Sequence, residues 1–321
     1  MSEPAAVSPA DISTAADRIA AHLRTTPILT VDGAELDVPG TVTLKLEYLQ
    51  HSGTFKARGA TNFCLANDIS AAGVAAASGG NHGAAVAWAA RTLGQPATIF
   101  VPTISSPAKV ARLRAYGAQV VQTGAVYAEA LAACDEHREQ TGATGVHAYE
   151  AVDVMAGAGT TGLEFQAQVE ASGLDRLDTV LVACGGGGLV GGISSWLGPD
   201  TSVVACETET TQAFAEAQRA GQPVDVTVSG IAADALGASR IGTLAFDALS
   251  AGGAHSAVVT DEAVVEAQQA LWDRFRIVVE PSAAVPIAAL RSRVWTPARD
   301  DHTGVVICGA NTALDGAGLD S

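Results

Sequence analysis

Apolar residues recur along this chain in two registers that alternate with each other. Short runs such as Thr179–Cys184 (TVLVAC) and Gly304–Cys308 (GVVIC) are apolar almost throughout, as strands buried on both faces are. Similar β-like runs fall at Val74–Ala77, Ala97–Val101, Gln119–Gln122, Ser202–Glu207 and Ala257–Thr260. Thr41–Tyr48 alternates apolar and polar residues and reads as a half-exposed strand. Between these lie helical patterns near Lys56–Asp68, Asn81–Leu93, Pro107–Tyr116, Val126–Gln140, Gly159–Ser172, Thr211–Ala220, Asp261–Phe275 and Pro281–Arg293. A further helix starts at Ser8-Pro9-Ala10-Asp11. Ser8 can cap it, Pro9 suits its first position, and Ile12, Ala16, Ile19 and Leu23 give it a buried face. Strand–helix alternation at this density predicts an α/β protein with largely parallel sheets. No internal repeat, low-complexity tract or linker interrupts it, so a second domain must be interleaved with the first.

Composition narrows the picture. The chain has 321 residues, 48% hydrophobic and only 16% charged, enough to bury a large core in one or two domains. That apolar content excludes disorder for the body of the chain. The 34 glycines lack a collagen period and point to tight turns or to backbone that approaches a ligand closely. A formal charge of −16 repels phosphate backbones and anionic lipids, so neither nucleic acid nor membrane is the expected partner. The five cysteines are scattered and never in C-x-x-C spacing, which argues against a disulfide framework and a zinc knuckle. Without a signal-like N-terminus or a membrane-length apolar run, the expectation is a soluble cytoplasmic protein.

Ligands of open α/β sheets bind at the carboxyl ends of strands, and four such ends carry informative residues. Ser52–Ala60 (SGTFKARGA) places Lys56 in a glycine-flanked turn at a helix start, where the macrodipole disfavours a cation. It is either a solvated lysine or an amine of lowered pKa ready for carbonyl chemistry. Ser78-Gly79-Gly80-Asn81-His82-Gly83 is either a tight turn capped by Asn81 or an anion site at a helix N-terminus. Cys184–Gly191 (CGGGGLVG) offers a nest of backbone N–H groups for a phosphate. Gly186, Gly188 and Gly191 also satisfy the dinucleotide pattern, with Glu207 about 20 residues onward to meet a ribose. Finally, Cys308-Gly309-Ala310-Asn311 ends the last apolar run; its thiol is either core filling or a neutral partner for a cofactor ring atom. Metal-ligand spacing, a serine-hydrolase elbow and a P-loop lysine are all missing from the sequence.

One cofactor accounts for all four places: pyridoxal 5′-phosphate. G-T-F-K-A-R-G-A, S-G-G-N-H-G, G-G-G-G-L and the final C-G-A-N, in that order, resemble the serine/threonine dehydratase family of fold-type II, tryptophan-synthase β-like pyridoxal enzymes. The resemblance runs from roughly residue 10 to 315. It implies a large domain (1–54 plus 151–321), an inserted small domain (55–150), a cofactor cleft between them, and a homodimer. Lys56 would hold the cofactor as a Schiff base and serve as catalytic base. Phe55 and Ala235 would flank the ring, Asn81 would meet its hydroxyl, and Gly185, Gly186, Gly187, Gly188 and Leu189 would cradle the phosphate. Cys308 would face the ring nitrogen, and Glu280 would stand near the ring. Ser78, Gly79, Gly80, Asn81 and His82 would receive the amino-acid substrate, with Ser78 gripping its carboxylate.

The resemblance further implies β-elimination from L-threonine, L-serine or another β-hydroxy amino acid, giving a 2-oxo acid and ammonia. Thr54 stands where the family usually has serine and keeps the hydroxyl. Gly79 stands where the family's serine racemases carry a second serine, which favours dehydratase over racemase. Some members bind a divalent cation at the Glu207 position with a second acid; here Ala213 stands at that second place. The chain ends soon after Cys308, so no regulatory C-terminal domain is expected. Arg240 could meet a second carboxylate in a 3-hydroxyaspartate-type substrate, or form a surface ion pair. The competing readings are an NAD-dependent oxidoreductase, a β-replacement synthase and a non-catalytic sensor.

Overall fold

A computed structural model describes residues 6–312. In chain order its strands are β1 (Ile28–Asp32), β2 (Thr41–Lys45), β3 (Val74–Ala77), β4 (Ala97–Val101), β5 (Gln119–Gln122), β6 (Thr144–Gly145), β7 (Thr179–Ala183), β8 (Ser202–Thr208), β9 (His255–Val259) and β10 (His302–Val306). They form a six-stranded sheet, β1-β2-β10-β7-β8-β9, and a four-stranded sheet, β5-β4-β3-β6. Every neighbouring pair is parallel except β1 with β2. The smaller sheet is continuous in sequence and interrupts the larger one between β2 and β7. The chain therefore has the α/β architecture that its alternating pattern predicts.

The two most apolar runs, β7 and β10, are buried at every residue and lie side by side in the centre of the larger sheet. Helix Pro281–Arg291, buried from Ser282 to Leu290, packs against them. Helices Val152–Ala171 and Gly188–Leu197 pack against each other, and glycine decides how closely. A Cβ at Gly192 would stand 2.8 Å from the backbone nitrogen of Gly159, and one at Gly159 2.9 Å from the Gly192 carbonyl oxygen. Small residues at such a crossing let the backbones touch. At the N-terminus, Ser8 and Asp11 form a reciprocal capping box on helix Pro9–Ile19, with Pro9 in its first turn.

Three local expectations differ from the structure. The helix expected from Gly159 begins at Val152, and Gly157 and Gly159 are positions where it packs closely on its neighbours. Strand β1 and helix Thr243–Ala251 have no counterpart in the sequence reading. Strand β2 is not half-exposed: Val42 to Lys45 are all buried.

The polar residues of β2 are tolerated inside because each has partners. Thr43 Oγ1 lies 2.8 Å from His302 Nε2. Lys45 Nζ donates to Thr26 O (2.7 Å), Gln168 Oε1 (2.7 Å) and Glu164 Oε1 (2.5 Å). Beside it, Arg58 makes a two-pronged contact with Glu47, Nε to Oε2 at 2.8 Å and Nη2 to Oε1 at 2.7 Å, and reaches Glu164 Oε2 at 3.0 Å. Two cations and two carboxylates thus join β2, helix Lys56–Ala66 and helix Val152–Ala171. Removing one member strands its partners in a low-dielectric interior. Arg58→Met should therefore lower the unfolding free energy by about 3–5 kcal/mol in a denaturant titration; a loss within measurement error would show that the network does not hold this junction.

Candidate active site

The ends of β3, β7 and β10 open onto one cleft. The turn carrying Lys56 is seated on the end of β10 by backbone bonds: Phe55 N donates to Cys308 O at 3.1 Å, and Ala310 N to Gly53 O at 3.0 Å. Thr54 and Gly309 close an antiparallel bridge between the same segments. The turn is tight, with φ of 60° at Ser52 and 74° at Gly53. Lys56 then opens helix Lys56–Ala66, which has no side-chain cap. Its Nζ donates to Ala148 O at 3.1 Å and lies 5.0 Å from the Phe55 ring centroid. Burial pulls the Lys56 amine down to about 8, against the opposing pull of Cys308 and Glu280. An amine so depressed keeps a neutral fraction near physiological pH far above that of an ordinary lysine and can act as nucleophile or base.

Across the cleft, β7 runs through Cys184 into Gly185, Gly186 and Gly187, and helix Gly188–Leu197 follows. Gly187 has φ 87°, and a Cβ on Gly186 would stand 2.3 Å from the Tyr149 ring. Only glycine fits, and the wall left behind is bare backbone at a helix N-terminus, where N–H groups converge on an anion. The cleft holds about 440 Å3 of non-protein space, part of it open to solvent. Phe55, Lys56, Asn81, Gly185 to Leu189, Ala235, Glu280 and Cys308 all line it, so residues nominated from four separated motifs meet in one place.

Asn81, the first residue of helix Asn81–Thr92, donates from Nδ2 to Glu280 Oε1 at 2.7 Å. Glu280 is almost fully buried and also accepts from Ser282 Oγ (2.7 Å) and Asn311 N (3.1 Å). Burial raises its pKa against the pull of these three donors. Burial also pushes the Cys308 thiol well up, reinforced by Glu280, which keeps it protonated. Ser78, Gly79 and Gly80 are half-buried in the loop after β3, and Gly80 N donates to Ser78 Oγ at 3.3 Å.

Of Ser78, Gly79, Gly80, Asn81 and His82, expected together at the substrate, only Asn81 is among the residues lining the cleft, and His82 is placed apart. It is buried behind Lys56, with Nε2 2.9 Å from Val146 O, and lines a separate small cavity rather than the cleft. Burial, and then the nearby Lys56, push its pKa down to about 3, so it is neutral and donates to that carbonyl. Four lining residues were not foreseen as site residues: Tyr149, Ala183, Leu236 and Ser282. Tyr149 belongs to no motif; only its contact with Gly186 marks it.

Two further candidates lie elsewhere. Glu207 is fully buried, its oxygens accepting from Phe214 N at 2.7 Å and Ala215 N at 2.8 Å. Its pKa is pushed up to about 8 by burial. A carboxylate committed to a helix start cannot meet a ribose, which removes the dinucleotide reading. Arg240 pairs with Asp225 at 3.1 Å and with Pro223 O at 2.7 Å, on the surface.

The family model described as "Pyridoxal-phosphate dependent enzyme" matches residues 19–309. The chain belongs to that family. Pyridoxal phosphate is its cofactor, and the residues present fit that group. The cleft holds one desolvated amine for the aldehyde, a side-chain-free cradle for the phosphate, and a protonated thiol and an amide for polar atoms of the ring. Among its relatives, an L-threonine ammonia-lyase of Geobacter sulfurreducens is 34% identical over 96% of this chain and 75% of that one. A phenylserine dehydratase of Ralstonia pickettii is 35% identical over 92% and 90%. Maize serine racemase superposes with a TM-score of 0.89 at 29% identity, covering 97% and 95%. These relatives agree with the serine/threonine dehydratase resemblance of the motifs.

The depressed amine gives a direct test. In cofactor-stripped protein, acylation of Lys56 by an amine-directed reagent should rise through pH 8, because only the neutral amine reacts. Peptide mass spectrometry across pH 6–11 would show it; labelling that rises only near pH ~10.4, the value of an ordinary lysine, would refute it.

Proposed function

We propose that this protein is a pyridoxal-phosphate-dependent ammonia-lyase that dehydrates a β-hydroxy amino acid with an uncharged side chain, of the L-threonine or L-serine type. The observation that carries this reading is the meeting of a desolvated lysine amine and a side-chain-free glycine cradle in one cleft. Lys56 would hold the aldehyde and Gly185 to Leu189 the phosphate. Phe55 and Ala235 would flank the ring, and Glu280 would stand near it. Bound there, the cofactor supplies a conjugated electron sink that acidifies the substrate Cα–H.

The chain's own groups divide the remaining work. Lys56 Nζ, held over Phe55 and with its charge disfavoured by burial, takes the Cα proton in its neutral form. Ser78 and the backbone N–H groups at the start of helix Asn81–Thr92 receive the carboxylate, as helix N-termini receive anions. The β-hydroxyl leaves with a proton as water, and hydrolysis of what remains yields the 2-oxo acid and ammonia. Cys308 stays a neutral thiol and therefore offers the ring nitrogen no charge. A weakened electron sink suits elimination, where the leaving group departs from the adjacent carbon, better than reactions that store a carbanion.

Two observations bear on the substrate. Lys56 is the one cation among the residues lining the cleft, and Arg240 is committed to Asp225 and Pro223. A second carboxylate, as in 3-hydroxyaspartate, would lack a partner. Gly79 carries no group to deliver a proton to the face opposite Lys56, which disfavours racemisation.

Purified holoenzyme given a panel of hydroxyamino acids should release 2-oxo acid and ammonia together from L-threonine or L-serine, and Lys56→Ala should abolish both along with the visible cofactor band. Retention of turnover by Lys56→Ala would remove this mechanism. A serine at position 79 should be accommodated, since a Cβ there meets its nearest neighbours at 3.5 Å. Gly79→Ser should raise racemisation of L-serine relative to dehydration, measured by chiral chromatography. An unchanged ratio would show that the missing hydroxyl is not what suppresses racemisation.

A further inference from the structure

Asn81 and Asn311 lie 230 residues apart in sequence, and together they form a hydrogen-bond chain whose polarity is fixed at both ends. One end is a backbone carbonyl: Asn311 Nδ2 donates to Ser52 O at 3.0 Å. The same nitrogen donates to Asn81 Oδ1 at 2.6 Å. Asn81 Nδ2 then donates to Glu280 Oε1 at 2.7 Å, and this carboxylate is the other end. Glu280 also accepts from Ser282 Oγ and from Asn311 N, so it acts as an acceptor toward all three.

A carbonyl and a carboxylate can only accept. Turning over the Asn81 amide would set its oxygen against Glu280 and its NH2 against the NH2 of Asn311. Turning over Asn311 as well would set an oxygen against Ser52 O. Each amide therefore has one allowed orientation. Room for it comes from Gly53, where a Cβ would stand 2.7 Å from Asn311 Oδ1. Asn81 lines the cleft with Oδ1 already engaged and with a second Nδ2 hydrogen left to give.

We propose that Asn311 is a positioning residue that sets the polarity of Asn81, so that the cleft offers a donor rather than an acceptor to the ring oxygen of bound pyridoxal phosphate. This rests on Asn81 being that oxygen's partner. A donor at this place favours the deprotonated ring oxygen. Asn311 also holds the turn of Lys56 through Ser52 O. One amide thereby links the position of the amine to the charge state of the ring.

The test is a double-mutant cycle on cofactor release from holoenzyme, followed by equilibrium dialysis. Asn81→Ala and Asn311→Ala should each weaken retention on the order of tenfold, as loss of a hydrogen bond to a charged group does. The loss in the double variant should fall well short of the two single losses combined, because much of the Asn311 effect runs through Asn81. Additive losses, or wild-type retention in either single variant, would overturn the proposal. Asn311→Asp keeps the shape but sets a carboxylate oxygen against Asn81 Oδ1, and it carries the same test should the alanine variant fail to fold. Its bound cofactor should titrate at higher pH than wild type in visible absorbance; an unshifted titration would overturn the proposal. A wild-type chain that retains no cofactor would sink the functional reading and this proposal with it. Normal retention with additive losses would sink this proposal alone.

Discussion

The site depends on the seating of one turn on the end of one strand. Residues 53–56 are tied to residues 308–310 by two backbone hydrogen bonds that form an antiparallel bridge between Thr54 and Gly309. Segments more than 250 positions apart are thereby held in register by the backbone, with the Asn311 amide adding a bond to Ser52 O. Lys56 leaves this turn as the first residue of a helix whose N-terminal dipole opposes a cation, in a place where burial opposes one too. Both effects favour the neutral amine. Two residues on, the Arg58 pair with Glu47 anchors the same helix from its other face. The amine is thus held in an environment hostile to its charge by contacts that do not involve that charge.

An acidic protein that binds an anionic cofactor needs local compensation, and here the backbone supplies it. A net charge of −16 raises the cost of bringing a phosphate to the surface. The glycine cradle answers with N–H groups at a helix start, and its lack of side chains lets them come close. The Tyr149 ring against Gly186 limits the cradle on one side. Any larger residue in the four-glycine run would have to displace that ring, Leu236 or Ala245.

How legible the molecule is from its sequence depends on where each constraint arises. Strands β3, β4, β7 and β10 show as short apolar runs because burial on both faces leaves no polar alternation. Strand β2 misleads because Lys45 and Thr43 are polar yet buried, and their partners, Glu164, Gln168 and His302, lie more than 100 residues away. The start of helix Val152–Ala171 is hidden because its glycines serve a helix crossing. Lys56, Asn81 and the glycine run are readable because their chemistry needs unusual residues in short compass. Tyr149 and Ser282 act through tertiary contact, and nothing local marks them. Asn311 stands within a recognisable quartet, but its partners, Ser52 and Asn81, become visible only in three dimensions.

Burying so many polar groups around one amine sets a limit on the chemistry. Each member of the Glu280, Asn81, Asn311 and Ser282 cluster has its partner in the protein. The cluster therefore does not have to rearrange to satisfy itself when a ligand enters. A preorganised polar wall keeps its orientation through the reaction and avoids the reorganisation that water would require. The groups left with capacity to spare are the Lys56 amine, one Asn81 hydrogen, the loop of Ser78 and the cradle N–H groups. Those match an aldehyde, a ring oxygen, a carboxylate and a phosphate, and the one among them whose proton can move near neutral pH is Lys56. Proton transfer is in this way concentrated on a single side chain, as the proposed removal of the Cα proton by Lys56 requires.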